Sequence, residues 1–297
     1  MLTQFAGRML FHLISPPYRE ACGRDFLARE RPSTWLSQAI HKEIARRYYR
    51  LDDAEKRRLN RQMFWGSDAG LGWHRIKQKR YSDFELFEQE FLRFRKPLAQ
   101  QIAHLLARCP EFHTLCHIGA GHGLFLEYLA KQLPQIRRFV GIDICREQIR
   151  ITRERYRGSS LEFVNMETTD WIRDNAGDGG VIFITIGTLQ YFTPQEFQEL
   201  LRAVREKIRP GAIALSETVN IRLTSAAASV PRGDLGYSHP YPEILRQERY
   251  QLFQYAMEPV DASSSTANQL MLTATTQPVP KVRPGESSYV PSHYGAD

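Results

Sequence analysis

His117-Ile118-Gly119-Ala120-Gly121-His122-Gly123 sets three glycines between an apolar run and a helical one. Glycine lets a backbone turn sharply and approach a ligand, and the helix that follows offers unpaired N–H groups. Such a triplet is a weak signal by itself. It is followed by Gly141-Ile142-Asp143-Ile144, which ends a second apolar run with a carboxylate suited to two hydrogen bonds with a ribose diol. Phe163-Val164-Asn165-Met166-Glu167 ends a third run with another acid. Thr185-Ile186-Gly187-Thr188-Leu189-Gln190-Tyr191-Phe192 ends a fourth, and Glu217 stands near the end of a fifth. Tyr191, His117 and Glu217 are side chains in this set that can orient or move a proton.

These residues need a sheet edge to bring them together. Apolar runs at 113–118, 139–144, 161–165, 181–186 and 212–219 read as strands. Helical patterns at 124–133, 146–157 and 194–208 alternate with them, which predicts a parallel sheet covered on both faces. A short helix at 242–249 precedes strands near 251–259 and 269–277, which read as an antiparallel hairpin. Ligands of open α/β folds bind at the carboxyl ends of the strands, where the polar and small residues above collect. His239 and Tyr241, in the loop before the hairpin, are expected to line the pocket.

The ordered set resembles the class I S-adenosylmethionine-dependent methyltransferases over about 113–277, with NAD binding as the competing reading. "HIGAGHG" is similar to that family's glycine loop, "GIDI" to its ribose-binding step and "FVNMETTDW" to its adenine-binding step. The resemblance implies a seven-stranded Rossmann-like sheet with helices on both faces and an N-terminal helical cap. It implies S-adenosyl-L-methionine as cofactor, held by His117, Gly119, Gly121, Gly123, Asp143, Ile144, Asn165, Met166, Glu167 and Gly187. Tyr191, His117 and Glu217 are then the catalytic candidates, and the acceptor is a small molecule. His117 departs from the family, which usually has an acid at that position near the methionine ammonium. That departure admits a cyclase resembling azetidine-2-carboxylate synthase, in which the cofactor's own amine attacks. RNA modification is a further alternative.

The first hundred residues carry twenty Lys and Arg against twelve Asp and Glu, so the net charge of +7 belongs to the N-terminal third. An ordinary solvated helical face explains it better than a nucleic-acid track. Segments 33–50, 52–65 and 82–107 have helical spacing, with Ser33, Asp52 or Asp53 and Ser82 as caps and a kink or split of the third at Pro97. The glycines of 66–73 predict a loop between them. The expected domains are a helical cap over 1–107, the cofactor domain over 108–277 and a flexible tail over 278–297. Four cysteines without a CxxC pair predict reduced thiols, and His113, His117 and His122 are spaced too widely along a strand for one metal ion. No apolar run reaches the length of a membrane span and no signal peptide is expected, which points to the cytoplasm.

Overall fold

The computed structural model describes residues 32, 34–65, 68–82, 84–93, 95–220, 228–232, 236–259 and 267–279. The chain forms two compact units, Met1–Gly72 and Trp73–Asp297. In the first, α1 (Trp35–Tyr48) begins with a reciprocal cap. Thr34 Oγ1 accepts from the Ser37 N–H at 3.1 Å, and Ser37 Oγ accepts from the Thr34 N–H at 3.0 Å. α2 (Asp53–Trp65) begins the same way, with Asp52 and Glu55 exchanging bonds of 2.8 and 3.2 Å. The expected cap Ser33 and the tail from residue 280 lie outside the described residues.

Asp68–Arg80 is a helix, α3, where the glycines predict a loop. A glycine inside a helix costs only about 1 kcal/mol relative to alanine, and a buried Leu71 marks an apolar side to this one. Ser82 closes α3 by donating to the Lys79 carbonyl at 2.7 Å rather than capping the next helix. Segment 82–107 is split rather than kinked near Pro97. A helical turn, Phe84–Leu86, passes into a π-helical one, Phe87–Leu92, and α4 (Lys96–Arg108) starts afresh with Pro97 in its first turn. Proline lacks the N–H that an interior position needs, so the break falls just upstream of it.

Among the described residues nine strands follow: β1 (Thr114–Ile118), β2 (Arg138–Asp143), β3 (Leu161–Asn165), β4 (Val181–Ile186), β5 (Gly211–Asn220), β6 (Val230–Arg232), β7 (Gly236–Ser238), β8 (Gln251–Pro259) and β9 (Ala267–Thr275). Seven form one sheet in the order β3-β2-β1-β4-β5-β9-β8, while β6 and β7 make a small hairpin that the sequence pattern does not announce. β1 to β5 are parallel, and β9 runs antiparallel between β5 and β8.

Helices α5 (Leu124–Gln132), α6 (Arg146–Arg155), α7 (Thr168–Asp174), α8 (Pro194–Lys207) and α9 (Tyr241–Gln247) complete the fold. α4, α5 and α6 bury Leu98, Ile102, Phe125, Leu129 and Ile149 against one face of the sheet. α7, α8 and α9 bury Trp171, Phe197, Leu201 and Leu245 against the other. The run Val181–Ile184 is apolar throughout because Ile182 and Ile184 enter the first core while Val181 and Phe183 enter the second. Among the described residues, no helix is long and apolar enough to cross a membrane.

Candidate active site

The strand order reverses between β1 and β4, so the connections that leave these neighbours diverge and open a crevice at their carboxyl ends. The register fixes what surrounds it. Ile118 pairs with Ile142 and Thr185, Asp143 with Asn165, and Ile186 with Ser216. The residues level with or just past the ends of β1 to β4 therefore share one edge: the glycine loop, Asp143, Asn165 to Glu167, Gly187 and, within the longer β5, Glu217.

Gly119, Gly121 and Gly123 all have left-handed backbones, with φ of 70, 52 and 78°. At Gly119 a Cβ would also drive into the Thr188 side chain. The sequence chooses glycine here because both the backbone angle and the close approach of the β4 connection forbid a side chain. Asp143 anchors the loop. Its Oδ2 accepts from the Gly121 N–H and its Oδ1 from the Cys145 N–H, each at 2.9 Å. The Gly121 carbonyl in turn accepts from Thr152 Oγ1 at 2.9 Å, so α6 also holds the loop. Asn165 Nδ2 donates to the Asp143 carbonyl at 2.9 Å, tying the third strand end to the second.

The remaining expected cofactor residues lie along the same edge. Ile144 and Glu167 are half-buried, Glu167 immediately before α7. Met166 is half-buried and leans on the second core. Gly187, φ 60°, turns the chain out of β4 and accepts at its carbonyl from Gln190 Nε2 at 2.8 Å.

Glu217 has a different place from the one its sequence position suggests. It is wholly buried and accepts from Thr185 Oγ1, the Thr188 N–H and the Leu189 N–H, each at 3.0 Å, and from the Gln190 N–H at 3.4 Å. Burial raises its pKa to about 7, against the lowering effect of those donors. It organises the Leu189–Tyr191 turn after β4. His239 and Tyr241 are likewise core residues, not pocket lining. Their rings pack on each other and on Phe197, and His239 is fixed between Ser229 Oγ at 2.7 Å and the Phe192 carbonyl at 3.1 Å. Tyr191 is half-buried on that turn.

His117 is buried on β1, its ring 6.0 Å edge-on from Phe125, and burial lowers its pKa to about 4. Both ring nitrogens are closed to solvent and lack hydrogen-bond partners among the described residues.

Sequence reasoning missed the segment before α4. Tyr81 packs 6.3 Å from His122 of the glycine loop and 5.4 Å from Phe91, and Phe91 packs 6.0 Å from Phe125. The Arg95 guanidinium lies 4.2 Å over the Phe91 ring. These aromatic residues read as an ordinary apolar helix stripe, and Arg95 as one more charge in a basic region. No spacing rule connects them to a loop that begins at His117, further along the chain.

Residues 116–211 match the family model described as a methyltransferase domain. A carboxy-S-adenosyl-L-methionine synthase of Desulfotalea psychrophila is 30% identical over 128 residues, 41% of this chain. The chain spans about half the length of that curated relative, 51%. Among solved structures, magnesium protoporphyrin IX methyltransferase of Synechocystis with bound SAM is 15% identical over 75% of this chain and 97% of its own, with a TM-score of 0.49. A 1,6-didemethyltoxoflavin-N1-methyltransferase of Burkholderia thailandensis is 17% identical over 70% and 88%, with a TM-score of 0.42. The family match runs from β1 into β5, across the strand order and the glycine loop described above, so this stretch of the chain is similar to a methyltransferase domain.

Proposed function

We propose that this protein transfers the methyl group of S-adenosylmethionine to a small molecule. The observation that carries the reading is Asp143 at the switch point of the sheet, bonded once at each oxygen to the backbone around the loop. A carboxylate has about four lone-pair sites, so both oxygens retain capacity for a ribose diol. The unmet nitrogens of His117, on the strand that leads into the glycine loop, fit a ligand lying against this loop.

The cofactor's sulfonium supplies an activated methyl group. Asp143 would hold the ribose, with Ile144, Asn165, Met166 and Glu167 around the purine. Gly119, Gly121, Gly123 and Gly187 would let backbone come close, and His117 would meet a polar group of the amino-acid end. Glu217 is committed to the backbone, and His117 with a pKa of about 4 is a poor base at neutral pH. Tyr191 remains the candidate for orienting the acceptor. Catalysis then rests chiefly on alignment and on exclusion of water, the service of the rings of Tyr81 and Phe91 beside the glycine loop and Phe125. These rings also suit a small acceptor, in keeping with a substrate-binding role for the segment between residues 81 and 95.

The test is calorimetry with S-adenosylhomocysteine, followed by incubation with S-adenosylmethionine and fractionated metabolites and mass spectrometry of the adenosyl product. Formation of S-adenosylhomocysteine only when an acceptor fraction is present is the expected result. Methylthioadenosine released without an acceptor would overturn methyl transfer in favour of cyclisation, which the comparisons do not support. The name of the curated relative favours a second reading, modification of S-adenosylmethionine itself, and a carboxylated adenosyl product in the same spectra would establish that instead.

A further inference from the structure

A second constellation lies at the amino edge of the sheet, at the opposite end of β5 from the crevice. β5 enters the sheet at Gly211, and six residues of strand, about 20 Å, separate that point from Glu217. The last turn of α8, the link from α9 to β8 and the end of β9 meet there around an open cavity of about 640 Å³. Arg205, Arg209 and Arg249 line it, against one lining acid, Glu206. Thr276 and Gln277 line it too but are already engaged. Thr276 Oγ1 accepts from the Gly211 N–H and donates to the Gly211 carbonyl, each at 3.1 Å, and Gln277 Nε2 donates to Glu111.

The three arginines are not equivalent. Arg205 is pinned: its Nη1 donates to the Glu248 carbonyl at 2.7 Å, and its guanidinium stands 3.7 and 3.8 Å from the carboxylates of Glu248 and Glu206. Arg209 Nε donates to the Arg205 carbonyl at 3.1 Å. Arg209 and Arg249 are exposed, and neither has a carboxylate partner among the described residues.

Arg249 also occupies a backbone position that its residue type does not favour. The Tyr250 N–H donates to the Leu245 carbonyl at 2.8 Å and the Arg249 N–H to the Arg246 carbonyl at 3.0 Å, the bonds that close a helix through a left-handed residue. Glycine is the usual occupant there, having no Cβ to clash. Arg249 has φ of 63°, and it is the one described residue other than glycine with a positive φ. The helix dipole does not call for the exception, because Arg246 already puts a cation in the last turn of α9. A strained backbone kept at a cavity wall points to a use for the side chain.

We propose that this cavity binds phosphate, with Arg209 and Arg249 gripping the phosphoryl group of a small molecule and Arg205 held in place beside them. Guanidinium forks match the oxygens of a phosphate, and three of them against one lining acid favour a doubly charged group. The volume is that of a small-molecule site, so the occupant is inorganic phosphate or a phosphate monoester. The inference does not depend on the proposed function above.

The experiment is calorimetry on the full chain at low salt with inorganic phosphate, glycerol phosphate and glycerol. The wild type is expected to bind both phosphate probes and not glycerol. Tighter binding of glycerol phosphate identifies a monoester as the occupant, and equal binding identifies phosphate itself. Arg249→Gly should weaken both about tenfold or more, the worth of a lost charge-assisted bond, with Arg249→Lys between. Two readouts separate this from a folding defect. Without phosphate, Arg249→Gly should melt no lower than the wild type, because glycine suits the left-handed backbone. It should also bind S-adenosylhomocysteine as the wild type does. Arg209→Gln should weaken phosphate as well, with the strained backbone untouched. Phosphate that fails to bind the wild type, or that binds wild type and Arg249→Gly alike, overturns the inference. A single-stranded oligoribonucleotide that binds through Arg249 while glycerol phosphate does not bind overturns it in favour of a nucleic-acid backbone. A wild type that binds the phosphate probes but not S-adenosylhomocysteine supports this site and overturns the proposed function alone.

Discussion

Asp143 and Glu217 are two acids at the same edge of one sheet, and they do opposite things. Asp143, at the end of β2, receives one backbone N–H at each oxygen and so ties the glycine loop while retaining lone pairs. Glu217, in β5, receives three backbone N–H groups and a hydroxyl, and no part of it reaches solvent. One carboxylate is positioned to serve a ligand and the other to hold a turn. The number of donors already spent on each decides between the roles, and neither strand position nor residue type reveals that number.

The comparison breaks most visibly if Glu217 is removed. Glu217→Ala strands the N–H groups of Thr188 and Leu189 and the hydroxyl of Thr185 in the interior. A loss of about 3–5 kcal/mol of stability is expected, since each unmet buried donor costs about 1–3 kcal/mol and neighbours are not additive. Urea unfolding measures it. Affinity of the folded fraction for S-adenosylhomocysteine should change little, and a large loss of affinity without a loss of stability would reverse the assignment of roles. Asp143→Ala should do the converse. Calorimetry should find S-adenosylhomocysteine bound about 100-fold more weakly, the worth of one or two hydrogen bonds to a charged group. If the affinity is unchanged, Asp143 is only a loop anchor.

The same contrast explains what the sequence discloses. The strands β1 to β5 and the β8–β9 hairpin are legible because each follows one period, and the buried strand β4 stands out as a continuous apolar run, whereas the three-residue strands β6 and β7 are too short to show a period. The edge residues are legible because glycines and acids at strand ends are unusual. Two things are not. The helix α3 hides behind Gly70 and Gly72, because local propensity is a weak prior that packing overrides. The relation of Tyr81, Phe91 and Arg95 to the loop depends on how the segment before α4 folds back, and apolar spacing in that segment says only that something covers it. His239 looked like a pocket residue for a similar reason: a polar ring in a glycine- and proline-rich stretch gives no sign that Ser229 and the Phe192 carbonyl satisfy both its nitrogens.

Glu217 also has a pH signature. Its folded pKa, about 7, lies above the 4.5 of an ordinary glutamate, so between those values the folded chain binds more protons than the unfolded chain. Its contribution is full below about pH 4.5 and is lost as pH rises toward 7, by on the order of 2 kcal/mol. His117 and His239 act with the opposite sign. Their folded pKa values of about 4 make stability fall as pH drops below the 6.5 of ordinary histidine. The difference between wild type and Glu217→Gln isolates the glutamate. That difference should shift in favour of the wild type from pH 7 to pH 5, measured by urea unfolding at each pH. A flat difference would mean that the carboxylate is ionised throughout and that its donors outweigh its burial.

The smallest of these effects separates backbone strain from crowding at the loop. Gly119 and Gly158 both have left-handed backbones, with φ of 70 and 79°, but only Gly119 has a neighbour where a Cβ would go. Alanine at either position meets the left-handed penalty, roughly 1 kcal/mol. At Gly119 it also pushes on Thr188, whose N–H is held by Glu217, so strain placed on the ligand loop is transmitted to the structural acid. Gly119→Ala should therefore cost about 1 kcal/mol more stability than Gly158→Ala and weaken S-adenosylhomocysteine binding several-fold, while Gly158→Ala leaves binding unchanged. Adding Thr188→Ala to Gly119→Ala removes the obstructing side chain and should recover most of the excess loss. Failure of that double variant to recover would mean that the two connections are not in contact, and that the loop and the Glu217 turn are independent structures rather than two sides of one crevice.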